Sequence, residues 1–367
     1  MKTAIVHDWL SVYGGAESII RILHDLFPEA PVYTSVYDAD NMPDDFREMD
    51  IRTSFLQHMP FAKKKYTSYL QLMPKAFESF DLSEYDLVIS SSTCCAKGVK
   101  TRKETFHICY CNTPMRYAWD FYDEYVSGRN FLARKYIGMV MPGIRKWDFK
   151  SADRVDQFIA NSNNVADRIK RHYKRDSHVI YPPVRTNMFV PTGVCEDFYL
   201  AASRLVPYKR IDLAAETFTK LKKPLYIVGA GSEFEKIKDL SGDTVRLLGR
   251  VGDEELLALM QRCKAFLFPG EEDFGITPVE AQACGKPVIA FGKGGACETV
   301  VDGKTGILFP EQTVQSLTEA IDRFENTKFD IEDITANAER FSEERFRTEL
   351  YEYIMDCFER FKRGEQG

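Results

Sequence analysis

Long apolar runs are missing from this 367-residue chain. No window approaches the ~20 consecutive apolar residues that cross a bilayer, and the opening MKTAIVHDWL enters a strand-like run without the profile of a cleaved leader. The expectation is a cytoplasmic protein. Metal-binding spacing is missing as well: the nine cysteines include Cys94 beside Cys95 and Cys109 two positions from Cys111, with neither a C-x2-C pair nor nearby histidines. No metal is therefore expected. The cysteine count is odd and Cys109, Cys111 and Cys263 sit in or beside apolar runs, so the thiols read as reduced, packed as small hydrophobes. Low-complexity tracts and fixed-period repeats are also lacking, which sets aside linkers and solenoids.

What is there suits two globular domains, because 44% hydrophobic residues over this length exceed what one ordinary core holds. The net charge of −6 is unevenly distributed. Residues 51–180 carry 22 Lys and Arg against 13 Asp and Glu, and residues 181–367 carry 24 against 32. Two readings stay open: solvated faces that merely differ, or an amino-terminal half that meets an anionic lipid or membrane surface. Nucleic acid is not among the expected partners.

Short β-branched and aromatic runs alternate with helix-period segments, the form of βαβ units and parallel sheets. KTAIVHDW, DLVISSS, FHICYC and DQFIANS read as strands ending where small polar residues begin. Pro182 and Pro183 continue neither helix nor central strand and mark a boundary near residue 185. A second series follows: DFYLAAS, PLYIVGAGS, TVRLLGRV, AFLFPG, PVIAFGKGG and GILFP. From about Ser316 the chain reads as mostly helical. In such sheets chemistry collects on the turns at the carboxyl ends of the strands.

Four turns draw attention. Gly14 and Gly15 follow the first strand, either to let backbone N–H groups approach an oxyanion or merely to satisfy backbone angles. SRLVPYKRIDL sets Arg204 and Lys209 between a strand and a helix, either as a solvated helix start or, because cations at a helix amino terminus oppose its dipole, as a clamp for an anion such as a diphosphate. Gly229 and Gly231 start a dinucleotide fingerprint with Phe234 where the third glycine would fall, which argues against NAD and for a simpler turn; no bound cofactor is expected. EEDFGITPVEAQACGKPVIAFGKGG holds Glu272 and Glu280, one before a short helix and one within it, roughly 10 Å apart along the axis. That spacing suits two hydroxyl-bearing parts of one elongated ligand.

Together these stretches resemble a known family. The E-x7-E spacing, Gly294 and Gly295 with Glu298 beyond, and TGILF look like the carboxyl-terminal signature of retaining glycosyltransferases of family four. HDWLSVYGGAE, YCNTPMRYAWD, ANSNNVADRI, VIYPPV and SRLVPYKRID occur in the expected order, and the first two most resemble bacterial O-antigen and polysaccharide mannosyltransferases. The resemblance implies an α/β chain of the GT-B fold, two Rossmann-like doubly wound domains facing a central cleft. It places an acceptor domain at residues 1–184, a nucleotide-sugar domain at 185–341, and a terminal helix at 342–367 packed back on the first. It further implies that Arg204 and Lys209 hold the donor diphosphate, that Glu272 binds the hexose and Glu280 the ribose. By the same likeness Phe274, Gly275 and Ile276 lie against phosphate and sugar, Arg250 and Val251 meet the base, and Gly14 and Gly15 approach the diphosphate.

The donor is expected to be GDP-mannose, with UDP-hexoses as the alternative, and the reaction a metal-independent front-face transfer. Asn112 departs from the family, which commonly has histidine in this segment; an amide bonds hydroxyls but carries no proton. Either hydrogen bonding suffices there, or activity is altered, or the protein binds nucleotide sugar without transfer. Arg116 is a candidate acceptor contact, His107 a packed residue. MPFAKKKYTSYLQLMPKAFESF and FLARKYIGMVMPGIRKWDFK mix lysines with apolar residues and are expected either to meet an anionic leaflet and a lipid-linked acceptor or to be ordinary solvated helices.

Overall fold

In the computed structural model residues 1–128 and 130–365 are described. Among the described residues thirteen strands form two sheets, and every strand pair in both is parallel. The first holds β1 (Thr3–His7), β2 (Val32–Thr34), β3 (Ile51–Thr53), β4 (Leu87–Ser92), β5 (Phe106–Cys111), β6 (Gln157–Ala160) and β7 (His178–Val179), in the order β3-β2-β1-β4-β5-β6-β7. The second holds β8 (Tyr199–Ala202), β9 (Leu225–Val228), β10 (Val245–Gly249), β11 (Ala265–Phe268), β12 (Val288–Phe291) and β13 (Gly306–Phe309), in the order β10-β9-β8-β11-β12-β13. Each is a doubly wound sheet with one reversal of strand order, between β1 and β4 in the first and between β8 and β11 in the second.

The chain divides into two compact units, Met1–Pro183 with the chain from Phe346 onward, and Val184–Arg345. Val184 bridges Ser342 inside the second unit, so the crossing back falls within the helix Glu343–Lys362. That helix buries Phe346, Leu350, Ile354, Cys357 and Phe358, a stripe recurring every three or four residues. The stripe joins the first unit's core: Phe346 meets Tyr110 edge-on at 5.7 Å and Tyr353 stacks on His178 at 4.2 Å. Burial of each large side chain in the stripe stabilises by roughly 1.5–3 kcal/mol, which is why a polar-looking segment docks firmly.

Both faces of the first sheet are covered, and the strands alternate between them. Ile5, Ile89, Ile108 and Tyr110 face one core, with the helix Gly15–Leu26 behind. Ala4, Val6 and Val88 face another, under the helices Met73–Glu78 and Phe131–Ser151. Strands buried on both sides read as unbroken apolar runs, as these do. The serines of DLVISSS differ from the expectation: Ser90, Ser91 and Ser92 lie inside β4 and are fully buried. They stay in the strand because β1 pairs through Ser90 and Ser91 and β5 through all three, while Ser90 Oγ bonds His107 Nε2 at 2.8 Å. In the second unit Tyr199, Ile227, Leu267, Ile289 and Phe309 anchor a core shared with the helices Ile211–Leu221 and Val314–Glu325.

Candidate active site

In the second unit the reversal between β8 and β11 sets the loops that leave these strands side by side. After β8 the chain passes Arg204 and tightens into a single turn, Pro207–Lys209. After β11 it passes Pro269 and Gly270 to reach Glu272. The loops touch backbone to backbone: a Cβ on Gly270 would stand 2.8 Å from the Lys209 Cα, so only glycine fits. This contact brings Lys209 Nζ against Glu272 Oε1 as an ion pair whose side chains are 17% and 15% exposed. The ammonium also lies over the rings of Tyr208 and Phe268, 5.6 and 5.8 Å from their centroids. Arg204 donates from Nη2 to the Tyr208 hydroxyl at 2.8 Å and keeps an exposed guanidinium.

Glu272 is held by its backbone. Its carbonyl accepts from Gly295 N at 2.8 Å, and a Cβ on Gly295 would lie 2.2 Å from the Phe274 Cα, so the glycine pair lets two chain segments run in direct contact. Phe274 is buried edge-on against Phe341 at 5.3 Å. Gly275 takes the left-handed φ of +88° and caps the helix Ile276–Ala283, whose first N–H groups have no partner within the helix. Glu280 lies on this helix, and burial pushes its carboxyl up to about 7, with the Arg185 guanidinium opposing and Asp253 adding to the rise. Asp253 opens the helix Asp253–Arg262 one residue after Arg250 and Val251, and its charge acts on Glu280. Arg250 is exposed and Val251 half-buried.

Gly14, Gly15, Asn112 and Arg116 belong to the first unit. Gly14 caps the helix Gly15–Leu26 in an extended conformation open to any residue, but a Cβ there would come within 3.3 Å of Glu17 Oε2. Glu17 is buried and accepts from His7 Nε2 at 3.4 Å, behind the turn. Asn112 follows β5 directly; its Nδ2 donates to Ser91 Oγ at 3.0 Å and its carbonyl accepts from Asn161 Nδ2 at 2.8 Å. Arg116 lies over the Phe121 ring, 5.0 Å from its centroid. His107 is buried; its Nδ1 donates to the Arg154 carbonyl at 2.9 Å and burial lowers its pKa to about 4, a packed neutral imidazole.

Comparison with known proteins decides the family. The model named Glycosyltransferase Family 4 matches residues 13–188 and that named Glycosyl transferases group 1 matches residues 193–341. The chain belongs to the family 4 glycosyltransferases. It is similar to the alpha-1,3/1,6-mannosyltransferase ALG2 of Mus musculus, 23% identical over 93% of each chain. It is also similar to a GDP-mannose-dependent alpha-(1-6)-phosphatidylinositol monomannoside mannosyltransferase of Mycolicibacterium smegmatis, 34% identical over 32% of this chain and 36% of that one. Against a glycosyltransferase of Methanocaldococcus jannaschii, 29% identical, the alignment spans 48% of that relative. Among solved structures, sucrose-phosphate synthase from Thermosynechococcus elongatus superposes with a TM-score of 0.74 at 18% identity, covering 98% of this chain and 99% of that one. The fold is GT-B.

In this glycosyltransferase the loops also involve residues that the sequence did not single out. Arg210 adopts a left-handed φ of 52°, a conformation that costs roughly 1–2 kcal/mol for a side-chain-bearing residue. Its guanidinium donates to Gln312 Oε1 at 3.2 Å, and the Gln312 amide donates to the Pro269 carbonyl at 2.8 Å, tying the Lys209 turn to the Glu272 loop. Arg185 faces Glu280 from beyond the double proline. In the first unit Asp8 accepts the N–H groups of Cys94, Cys95 and Ala96 at 2.7–2.8 Å and the Thr93 hydroxyl at 3.0 Å, fixing the loop after β4. The only signal of Asp8 was its place after the first strand.

Proposed function

We propose that this glycosyltransferase moves a hexose, mannose from GDP-mannose, onto a lipid-linked or oligosaccharide acceptor of a surface polysaccharide, with retention at the anomeric carbon. The observation that carries the proposal is the Lys209–Glu272 pair beside the Gly275 helix amino terminus, with the exposed Arg204 next to it. A sugar diphosphate is complementary to such a group. Its phosphates take the Arg204 fork, the Lys209 ammonium and the helix N–H groups. Its hexose hydroxyls donate to the Glu272 carboxylate, and its ribose hydroxyls to Glu280. The mannosyltransferase names of the relatives support mannose as the transferred sugar.

The chemistry follows from charge. As the glycosyl–phosphate bond lengthens, positive charge develops at the anomeric carbon and negative charge on the leaving phosphate. Arg204, Lys209 and the helix N–H groups stabilise the phosphate, which on this reading takes the acceptor hydroxyl's proton on the same face that the sugar leaves. Two fixed cations supply charge neutralisation without a divalent ion. Asn112 acts by hydrogen bonding: Nδ2 is spent on Ser91, which orients Oδ1 to accept a sugar hydroxyl.

A donor-release assay tests the proposal, using GDP- and UDP-sugars with a detergent-solubilised lipid-linked acceptor, for wild type, Glu272→Ala and Asn112→His. Turnover of GDP-mannose alone, abolished in Glu272→Ala and insensitive to chelator, is the expected result. Chelator-sensitive turnover restored by Mn²⁺ would overturn metal independence. Donor binding without turnover, gained only in Asn112→His, would make the protein a nucleotide-sugar binder.

A further inference from the structure

The first unit contains a cavity of about 390 Å³ that the transfer chemistry does not use. It is lined by Trp9, just past β1, by Cys94, just past β4, by Tyr66 and Tyr117, and by Val140 and Ile144 of the helix Phe131–Ser151. Among the described residues no charged side chain lines it. Two pairs of polar groups on its wall engage one another, the Tyr117 hydroxyl with Cys94 Sγ at 2.8 Å and Gln71 donating to the Tyr136 hydroxyl; Trp9 and Tyr66 stack their rings at 4.7 Å, and Thr67 and Ser68 add two short polar side chains. The cavity abuts the ends of β1 and β4, the reversal point of the sheet, where this architecture holds ligands. A sugar or phosphate entering it would surrender hydration for few hydrogen bonds. A hydrocarbon chain would surrender nothing.

The outer side of the same helix is a second, independent observation. Phe131, Leu132 and Met139 are 76%, 76% and 74% exposed, on the face opposite buried Met141 and Ile144. Lys135, Lys146 and Lys150 are exposed along that outer face. The acidic residue of this helix, Asp148, is buried and paired with Lys97. Phe61 is 75% exposed at the head of residues 61–77, which hold four lysines and no carboxylate. Large apolar side chains interleaved with cations match an anionic leaflet in both charge and polarity.

We propose that this face lies on an anionic bilayer and that the cavity behind it takes one hydrocarbon chain of a lipid drawn from that bilayer. The proposal deepens the lipid-linked acceptor reading and rests on it, but its test needs neither donor nor transfer. The full-length protein is mixed at low salt with phosphatidylcholine vesicles, with and without phosphatidylglycerol, and then with vesicles whose acyl chains carry bromine. The expected result is co-sedimentation that requires phosphatidylglycerol, weakened at least about tenfold by Phe131→Glu with Leu132→Glu. Both positions are solvent-facing, and Met139→Glu provides a second variant with the same expectation. Bromine is expected to quench tryptophan fluorescence in wild type, and the quench to fall away in Trp9→Phe although Trp119 and Trp147 remain. Relief of the quench by a soluble polyprenyl phosphate assigns the chain to an isoprenoid, and persistence assigns it to an acyl lipid; either supports a hydrocarbon site. No binding to anionic vesicles, or binding unaltered by the glutamates, overturns the docking face. Binding without Trp9-dependent quenching overturns the cavity. Vesicle-free self-association removed by the same glutamates would give the face to a second copy. Transfer to a water-soluble acceptor, scored separately, shows whether the functional reading survives any of these failures.

Discussion

The two units build opposite kinds of site on the same device. Each sheet reverses strand order once, and each places charged or glycine-rich candidate loops on strands at that reversal, Gly14 and Gly15 after β1 and Arg204, Lys209 and Glu272 after β8 and β11. In the second unit those loops carry Arg204, Lys209 and Glu272, charges that stay half-buried or exposed at the surface of the unit. In the first unit the corresponding charge, Asp8, is 1% exposed and consumed internally by the backbone of residues 93–96, and the neighbouring cavity is apolar. The shared reversal of strand order therefore leaves chemistry to side chains. The second unit suits an anionic, hydroxyl-rich donor, and the first offers an ordered loop beside a wall of rings.

That contrast can be broken from either side. The largest effect is expected in the first unit from Asp8→Ala, which leaves several buried N–H groups without an acceptor. Each such group costs about 1–3 kcal/mol, so a loss of about 3–5 kcal/mol is expected by denaturant unfolding, with Asp8→Asn intermediate. A loss below about 1 kcal/mol would mean that the loop finds other acceptors. Next comes Glu272→Ala in the second unit, expected to lower kcat/KM about 100-fold, or about 2.7 kcal/mol, while leaving the melting temperature close to wild type. An equal fall in melting temperature would instead mark the carboxylate as structural. Gly295→Ala is smaller, about 1–3 kcal/mol of stability, because the new methyl meets the Phe274 backbone and must push the Glu272 loop aside. Its donor KM should rise with the stability loss, and an unchanged KM would separate the loop from donor binding.

The smallest expected effect is on pH dependence. Burial raises the Glu280 carboxyl to about 7, above its ordinary value near 4.5. The folded unit therefore prefers the protonated form. The stability tied to this group is full below about pH 4.5, declines as pH rises towards 7, and levels off above that. Glu280→Gln removes the ionisation, so its melting temperature should overtake that of wild type between pH 5 and 7 on this scale. A constant difference across that range would show that Glu280 titrates normally.

Much of this was legible in the chain. Parallel α/β architecture could be read because strands buried on both faces are continuous apolar runs, as in TAIVH, and helices such as DEELLALMQR keep their period. The three-residue strands β2 and β3 escaped, since VYT and IRT are too short to show any period and gain strand geometry only by pairing with β1 and with each other. The serines of β4 looked like a loop because small polar residues usually end strands; buried partners keep them inside. Arg204, Lys209 and Glu272 were visible as charges at strand-to-helix turns, where charge is seldom idle, and Glu280 as a carboxylate inside an apolar helix.

By itself, then, the sequence determined which residues would be strands, helices and charged turns, because periodicity and local backbone preference are written in neighbouring residues. Only the tertiary structure decided which of those turns meet. Lys209 and Glu272 are 63 positions apart and pair because Gly270 lets two loops touch. Asp8 reaches the loop after β4 across more than eighty positions, and Glu280 takes its raised pKa from the burial around it. Such contacts depend on strand order and on atoms a few ångströms apart, and neither is encoded in any local stretch of the chain.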